Sequence, residues 1–399
     1  MATEIQNARL AALILADEAI STPLVLGKSL TELQIARVVS AGARHVVCLV
    51  RQVSSQILVA ADNLRANGLS IDIVRTVAEA ADAIHPEEAV FLVSSQVLAS
   101  VKTLGDLTKS GIPSLLCVET EAAPAQFEIV DASMRWTGYA LLEGAALRRV
   151  AGMVGDWDAA STLLRQMVQD NARRVVLGRD QLADAMINVR TNAEAVDAGR
   201  KLLNENSDQH GGLGMYWLGR PVSRFLARLA GELGVKSKVV KWSAVGAALI
   251  GAVIGLVGWL TTALLILLLA VFANSAAVRL TAALGELDSN ENAMRLAIRA
   301  ATIVTVCSVA VTLASRTGQW GCLILGGLLI GSHVLMGQNQ AVPARPQRWI
   351  ADPLSGIAIL FAGFMIALPV GGLLLAAGHA VGSFLWKQRP SSNVVFNQA

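Results

Sequence analysis

The stretch LAALILADEAISTPLVLGKSLTELQIARVVSAGARHVVCLV, residues 10–50, determines the predicted fold of the N-terminal half. An apolar run over 10–16 predicts a β-strand, an amphipathic stretch over 30–41 predicts a helix, and the apolar run over 45–50 predicts a second strand. Further strands are expected at 70–75, 89–94, 114–118, 127–130 and 174–177, and further helices at 55–66 and 101–110. This alternation is typical of a mainly parallel sheet covered by helices on both faces.

The composition indicates a membrane protein. Of the 399 residues, 54% are hydrophobic and only 16% are charged, whereas soluble domains have about 25% charged residues. A wholly soluble chain and a disordered one are therefore excluded. The net charge is +3 and no basic tract alternates with aromatic residues, so we expect no nucleic-acid partner. The 4 cysteines form no CxxC pair and are expected to be small buried hydrophobes.

Long runs without charge begin after residue 238. Residues 243–278 contain no Asp, Glu, Lys or Arg, and neither do 300–315, 317–344 and 353–386. A spanning helix needs about 20 apolar residues, so the first and last runs each suit two helices joined by a tight turn. We therefore predict six transmembrane helices at about 239–257, 260–280, 294–315, 318–337, 353–368 and 370–387.

The basic residues predict the orientation. With the N-terminal half in the cytoplasm, the outer loops carry Arg316 as their only charge, as the positive-inside rule requires. The inner loops and their edges carry Arg279, Arg295, Arg345, Arg348, Lys387 and Arg389. The expected organisation is a cytoplasmic α/β domain at 1–205, an amphipathic juxtamembrane helix at 206–238, a six-span domain at 239–388 and a tail at 389–399. Both termini would then lie on the cytoplasmic side of a bacterial inner membrane.

Residues 8–200 resemble the nucleotidyltransferase domain that is fused to inositol-type CDP-alcohol phosphotransferases. The resemblance rests on a strand, a Pro-containing loop and the sequence Gly27-Lys28-Ser29-Leu30 at the start of a helix. It implies that Lys28 binds a nucleotide phosphate, while a solvated lysine is the alternative. The family's first loop is rich in glycine and its central strand is followed by a metal-binding Asp. Here residues 16–22 contain no glycine and two acids, and Ser94-Ser95-Gln96 follow the strand, so we expect nucleotidyl transfer to be lost.

A basic helix is predicted just before the first apolar run. Arg220, Arg224 and Arg228 recur every four residues beside apolar positions, which is typical of a helix at a membrane surface. These arginines are candidates for binding lipid phosphates, and a simple positive-inside flank is the alternative. The sequence GRPVSRFLARLAGELG, residues 219–234, also resembles the junction in fused CDP-alcohol phosphotransferases.

The membrane half lacks the acids of that family's signature, D-x2-D-G-x2-A-R-x8-G-x3-D-x3-D. That signature implies that two divalent metal ions bind the pyrophosphate of the CDP-alcohol substrate. Aligning Arg279 with the motif's Arg places Val271 and Asn274 on the first two acids and Ser275 on the Gly. Arg279 is then a candidate for binding a lipid or nucleotide phosphate, and anchoring at the membrane edge is the alternative. The nearby acids are Glu286, Asp288 and Glu291. They are interpreted either as part of a solvated loop or as a rearranged metal site.

These observations predict a non-catalytic membrane protein of phospholipid head-group metabolism. No resident cofactor is expected, and Mg²⁺ or Mn²⁺ enters only if an active site survives. The expected partners are membrane lipids and either a second copy of the chain or an active paralogue. The alternatives are an active CDP-alcohol phosphatidyltransferase-type enzyme with a rearranged metal site, and a membrane transport bundle.

Two further features of the apolar half leave alternatives open. The GxxxG pairs Gly251/Gly255 and Gly327/Gly331 fit either packing within the helix bundle or a dimer seam. His333 and His379 lie within predicted spans, where an ionisable side chain is either functional or satisfied by a neighbouring helix.

Overall fold

A computed structural model gives the fold of the chain. It describes residues 10–16, 23–94, 96–124, 127–152, 159–189, 191–205, 212–286, 290–338 and 348–388. The chain forms two compact units. The first comprises Met1–Lys201 with the short segment Leu284–Leu287, and the second comprises Leu202–Ala283 with Asp288–Ala399.

The first unit is built on β-strands that follow the predicted order closely. In the described part of the chain they are β1 (Leu10–Ala16), β2 (His45–Val50), β3 (Ser70–Val74), β4 (Ala89–Val93), β5 (Val97–Ala99), β6 (Ser114–Glu119), β7 (Glu128–Ile129), β8 (Met134–Glu143), β9 (Arg173–Leu177) and β10 (Met186–Asn188). The main sheet has the order β3-β2-β1-β4-β8-β6-β9, and β7 pairs with β8. A separate antiparallel pair is formed by β5 and β10.

The sheet is mixed, which corrects the expectation of a mainly parallel one. The strands β3, β2, β1 and β4 are parallel to one another, and β6 is parallel to β9. The ten-residue β8, which the sequence did not predict, lies between β4 and β6 and is antiparallel to both. The sheet therefore divides into a four-stranded and a two-stranded parallel part.

Helices cover the sheet of the first unit. They are α1 (Leu30–Ser40), α2 (Ser55–Ala66), α3 (Val77–Ala83), α4 (Val101–Lys109), α5 (Gly144–Ala151), α6 (Ala159–Gln169) and α7 (Arg179–Ala185). The next helix, α8 (Asn192–Glu205), contains the boundary between the two units. The first four begin after a hydroxyl side chain that accepts a hydrogen bond from an amide of the first turn, namely that of Ser29, Ser54, Thr76 or Ser100. These caps explain why the predicted helix starts agree with the observed ones.

Both faces of the central strands of the sheet are buried. Alternate residues of β1 belong to different apolar clusters, with Ala12 and Ile14 in one and Ala11 and Leu13 in the other. Side chains on successive strand positions point to opposite faces, so each cluster fills the space between one face and its helices. This accounts for the nearly continuous apolar runs from which the strands were predicted.

The second unit is helical. Its helices include α9 (Arg220–Glu232), α10 (Ser237–Leu256), α11 (Leu260–Leu284), α12 (Glu291–Thr317), α13 (Gly321–Gln338), α14 (Pro353–Met365) and α15 (Pro369–Lys387). Among the described residues, α10, α11, α12 and α15 are long and apolar enough to cross a membrane. The other two apolar helices are shorter, and the 13 residues of α14 extend only about 20 Å against a hydrocarbon core of about 30 Å. Four candidate spans are supported, and the expectation of six is not confirmed.

Glycines allow close helix contacts in the second unit. A Cβ added to Gly251 would lie 3.2 Å from the carbonyl oxygen of Ala263, so this GxxxG pair packs within the unit. At Gly363 the added Cβ would lie 2.7 Å from the Cα of Gly372, which holds α14 and α15 in a tight hairpin. Gly327, by contrast, has open space at its Cβ position.

Candidate functional site

The strand order places a candidate ligand crevice at the carboxyl ends of β1 and β4. The chain leaves β1 to form β2 and β3 on one side, and then crosses to β4 on the other. In open α/β sheets ligands bind at the carboxyl edge where the strand order reverses in this way. Residues 17–22, which contain the two acids of the first loop, lie outside the described residues.

A tight turn leads from this loop into α1. The amide of Val25 donates to the carbonyl of Lys28 over 2.9 Å, and the amide of Lys28 donates back over 3.1 Å. Both central residues have positive φ, at 51° for Leu26 and 79° for Gly27, and only the second is a residue that readily adopts this conformation. The turn fixes the position of Lys28 immediately before the Ser29 cap of α1.

The start of α1 is closed by a capping box. The side chain of Ser29 accepts a hydrogen bond from the amide of Glu32, and the Glu32 carboxylate accepts one from the amide of Ser29 over 2.9 Å. An exposed helix N-terminus attracts phosphate through its unpaired amides. Here two of the amides at the helix start are already bound to side chains of the chain itself.

Lys28, the predicted phosphate ligand, is ion-paired. Its Nζ lies 2.9 Å from Oε1 of Glu286, and both side chains are about three-quarters buried, with 26% and 24% of their surface exposed. Glu286 belongs to the segment Leu284–Leu287, which is part of the first unit. A phosphate would therefore have to displace or share this carboxylate in order to bind Lys28.

The end of β4 offers no acid where the resemblance expects a metal ligand. The amide of Ser94 donates to the carbonyl of Gly138 over 2.8 Å, and the carbonyl of Gln96 accepts from the amide of Val189. Residue 95 lies outside the described residues. Within the described ranges no three His, Cys, Asp or Glu side chains are grouped so that they could hold a metal ion.

The short strand β5 lies beside this edge, and two side chains hold it in place. The hydroxyl of Tyr139 donates to the carbonyl of Val97 over 2.7 Å and accepts from the amide of Ala99 over 3.1 Å. Nε2 of Gln34 also donates to Val97, over 3.2 Å. Burial raises the pKa of Tyr139 to about 12. Tyr139 could not be identified from the sequence, because its role depends on contacts with a strand that has no periodic pattern.

In the second unit, the positions aligned with the family's first acids lie along α11. Val271 and Asn274 are half-buried, and Ser275 is buried with its hydroxyl donating to the carbonyl of Val271 over 2.8 Å. Arg279, one turn further on, is also half-buried. An amide and a hydroxyl lack the negative charge that binds a hard divalent cation.

The three acids considered as substitutes are not brought together by the described contacts. Glu286 is the partner of Lys28, and Glu291 is ion-paired with Arg295 one turn along α12. Asp288 lies outside the described residues. The metal role of these three acids therefore stays a prediction.

The predicted basic helix exists, as α9. The guanidinium of Arg220 lies 4.7 Å from the centre of the Tyr216 ring, and that of Arg348 lies 4.6 Å from the same ring. Arg228 donates from Nε to Glu232 over 2.6 Å, and Arg224 is exposed. Sequence reasoning placed Arg348 only in a loop, because nothing local pairs it with Tyr216.

The two histidines in the predicted spans have backbone partners. Nδ1 of His333 lies 2.8 Å from the carbonyl oxygen of Leu329, and Nε2 of His379 lies 2.8 Å from that of Trp349. The partner of His333 lies one turn earlier in its own helix, and its Nε2 is buried without a hydrogen-bond partner among the described residues. The choice between a functional and a structural role therefore stays a prediction for both histidines.

Comparisons with known proteins relate to about half of the chain. It is similar in structure to 4-diphosphocytidyl-2C-methyl-D-erythritol synthase from Anaerococcus prevotii, with 13% identity and a TM-score of 0.36, over 49% of this chain and 98% of that one. It is also similar to a CMP:2-keto-3-deoxy-manno-octonic acid synthetase complexed with CTP, with 13% identity and a TM-score of 0.34, over 50% and 99%. No protein-family model and no curated protein matches the chain. At this identity the similarity concerns the fold alone.

Proposed function

We propose that this chain is a non-catalytic membrane protein of phospholipid head-group metabolism. In this proposal it resembles a fused nucleotidyltransferase and CDP-alcohol phosphotransferase, and it binds a phosphorylated lipid or nucleotide or partners an active paralogue. The mixed α/β unit and the four candidate spans support the general organisation. The residues present at the expected metal and phosphate positions support the loss of catalysis.

The observation that carries the proposal is the ion pair between Lys28 and Glu286. Nucleotide binding at a helix start depends on uncompensated positive charge facing the phosphates. Here a carboxylate 2.9 Å from the only predicted phosphate ligand of the first unit neutralises that charge. A bound triphosphate would bring at least three negative charges towards the same carboxylate, and the repulsion opposes productive binding.

The second unit supports the same conclusion independently. Transfer of a phosphoryl group from a CDP-alcohol requires metal ions to neutralise the pyrophosphate. Val271 and Asn274 stand where carboxylates would hold those ions. Both sets of acids are expected to be lost if the whole chain, rather than one domain, has lost its catalytic activity.

A ligand titration tests the proposal. The full-length protein in detergent is titrated with CDP and with CDP-diacylglycerol, with and without Mg²⁺ or Mn²⁺, while its melting temperature is measured. We expect no metal-dependent rise. Ligand at 100 times its Kd stabilises a folded state by about 2.7 kcal/mol, so a surviving metal–nucleotide site is detectable and its appearance would overturn the proposal.

A matched pair of variants isolates the ion pair. Glu286→Gln removes the carboxylate from Lys28, and we expect CDP to raise its melting temperature more than that of the wild type. Glu121→Gln, which makes the same charge change at an exposed position of the first unit, is the control. If neither variant responds to CDP, the Lys28–Glu286 pair is not what opposes nucleotide binding.

The second candidate is an active enzyme with a rearranged metal site. The closeness of Glu286 and Glu291 in sequence, on either side of the connection between α11 and α12, favours it. Simultaneous replacement of Glu286, Asp288 and Glu291 by Ala should then abolish transfer of the phosphatidyl or alcohol-phosphate group. Any transfer that survives this triple replacement excludes these acids as the metal site.

A further inference from the structure

The connection between α14 and α15 has an entirely apolar surface. This segment, residues 365–370, is called the tip and contains no polar side chain. Met365, Ile366 and Leu368 expose 59%, 67% and 62% of their surface. Turns that face water are usually built from Gly, Asn, Asp, Ser and Pro. Contiguous exposed apolar side chains instead mark a surface that contacts another protein, a ligand or a membrane.

The amides of the tip are largely satisfied without water. Those of Ile366, Ala367 and Leu368 each donate to a carbonyl of α14, over 3.1, 3.2 and 2.8 Å. Pro369 has no amide hydrogen, and the carbonyl of Leu368 accepts from the amide of Gly372 over 2.9 Å. Because no water replaces a missing hydrogen bond in lipid, this pairing lowers the free-energy cost of placing the turn there.

Two other helix connections of the second unit carry residues that are typical of a membrane–water boundary. Trp259 follows the turn between α10 and α11, and Arg316 and Trp320 flank the turn between α12 and α13; all three are exposed. A Cβ added to Gly258 would lie 3.9 Å from Nη2 of Arg316, so these two connections lie side by side. Trp and Arg concentrate at the interface of a membrane. The tip contains neither.

The opposite end of the α14–α15 hairpin gives a reference for depth. The rings of Trp349 and Trp386 meet edge to face with their centres 5.0 Å apart, and α15 ends at Lys387. These residues are typical of a head-group layer. From Trp386 to Leu368 the helix rises about 27 Å, and the usual tilt of about 20° reduces this depth to about 25 Å. The hydrocarbon core is about 30 Å thick, so the tip stops short of the far head groups.

The two helices of the hairpin are fixed at the same level. At the base, the hydroxyl of Ser383 accepts a hydrogen bond from the amide of Ala351 over 2.9 Å. Near the tip, a Cβ added to Gly363 would lie 2.7 Å from the Cα of Gly372, so the two backbones are in direct contact. The short α14 therefore cannot slide along α15 to bring the turn further out.

We propose that the tip lies among the acyl chains of the leaflet opposite to the hairpin's two ends and does not reach the water on that side. Two full spans joined by an outer loop, as the charge-free run predicts, would place this turn in water instead. The acyl chains complement the exposed apolar side chains, and α15, which carries the tip, is apolar and long enough to lie in a membrane. The proposal rests on the membrane placement of the second unit and on no catalytic property.

Spin labels on single cysteines measure the depth of the tip in nanodiscs. The buried native cysteines are Cys48, Cys117 and Cys322. The exposed Cys307 in α12 is therefore the native labelling site, and it reports on a candidate span. In a Cys307→Ser background we expect a label at Ile366→Cys to be reached by oxygen more than by a water-soluble nickel chelate. The reverse is expected at Gln319→Cys, an exposed position in the connection between α12 and α13, which is the matched control.

The outcomes separate the tip from the span. If Cys307 is lipid-accessible while the label at position 366 is reached mainly by the nickel chelate, the tip lies in water, and the inference fails although the span stands. A label at position 366 that neither reagent reaches would show that protein, such as a second copy of the chain, covers the tip, and the inference fails too. If Cys307 is itself reached mainly by the nickel chelate, the membrane placement of the second unit fails.

A charge at the tip gives a second test that needs no label. Ile366→Asp introduces a short carboxylate, which cannot reach the head groups as a long lysine side chain can. We expect it to lower the melting temperature of the full chain in nanodiscs by about 5–10 °C. Gln319→Asp, the same introduced charge at an exposed polar turn, should leave the melting temperature unchanged.

Equal melting temperatures of these two variants would place the tip in water and overturn the inference. Leu368, the other exposed leucine or isoleucine of the tip, provides a second position for both measurements. Leu368→Cys and Leu368→Asp should give the same results as the variants at position 366, so the test survives if the Ile366 variants fail to fold.

Discussion

Replacing Tyr139 by phenylalanine tests how the edge of the candidate crevice is held together. The change removes one hydroxyl and leaves the ring, so apolar packing around the fully buried side chain is retained. The hydroxyl bridges two backbone groups of β5, accepting from the amide of Ala99 and donating to the carbonyl of Val97. These groups lie on the side of β5 away from β10, where the tyrosine takes the place of a neighbouring strand.

The expected loss of stability depends on which hydrogen bonds the two backbone groups of β5 retain. The carbonyl of Val97 retains Nε2 of Gln34 at 3.2 Å, so it stays satisfied. The amide of Ala99 loses the tyrosine oxygen, and a buried donor left without its acceptor costs about 1–3 kcal/mol. We therefore expect a loss of about 2 kcal/mol, or roughly 4–8 °C in the melting temperature of a unit of this size.

The same residue has a distinctive pH dependence. Its pKa is raised from 10.0 to about 12 in the folded state because burial disfavours the phenolate. The unfolded phenol ionises first, so this part of the stability is present below pH 10 and is lost as the pH rises from 10 to 12. The Tyr139→Phe variant lacks this component, and its stability should fall less steeply over that range.

Thermal unfolding of the full chain in detergent, with hydrogen exchange at 97–100, provides the assay. The chain has one other tyrosine, Tyr216, and Tyr216→Phe is the matched control because it keeps the ring that the arginines contact. We expect faster exchange at Ala99 in Tyr139→Phe and no change there in the control. An unchanged melting temperature together with unchanged exchange would refute the reasoning that the hydroxyl satisfies β5.

Further substitutions probe packing, ionisation and capping. Gly363→Ala should destabilise the α14–α15 hairpin by about 1–3 kcal/mol, since its Cβ meets backbone at 2.7 Å, while Gly378→Ala, with open space, should not lower the melting temperature in detergent. Burial raises the pKa of Cys117 from 9.0 to about 11, so wild-type stability should fall between pH 9 and 11 more steeply than that of Cys117→Ala in melting experiments across that range. Asp352→Asn should lower the melting temperature, because the carboxylate accepts two amide hydrogen bonds, at 2.7 and 2.6 Å, and an amide accepts them less strongly; equal melting curves would exclude a role for its charge.

The elements predicted well are those with local signals. β1, β2 and α1 were found because apolar runs and a Ser cap mark them in the sequence. β8 was missed because Gly138 and polar residues interrupt its pattern. One of these polar residues, Thr137, is fully buried, and its hydroxyl donates to the carbonyl of Leu116 over 3.0 Å. A polar residue that is buried with its hydrogen bonds formed cannot be distinguished from an exposed one by its residue type alone.

The sequence allowed single residues of the candidate site to be predicted, but not the residues with which they pair. Lys28 stands out because it follows a turn and precedes a helix, yet Glu286, which is far away in sequence, binds it. Arg220 stands out through its spacing, whereas Arg348 is brought beside it by the ring of Tyr216. Long-range pairs of this kind depend on how the chain folds back, and no periodicity in a single sequence encodes them.

Three described carboxylates near the predicted sites already have partners within the chain. A divalent cation needs several carboxylates whose oxygens converge and are free to coordinate. Glu286 binds Lys28, Glu291 binds Arg295, and Asp352 caps α14. These carboxylates are therefore bound to cations or amides of the chain itself. Together with the missing acids at positions 271 and 274, this supports the proposal that metal-dependent transfer has been lost.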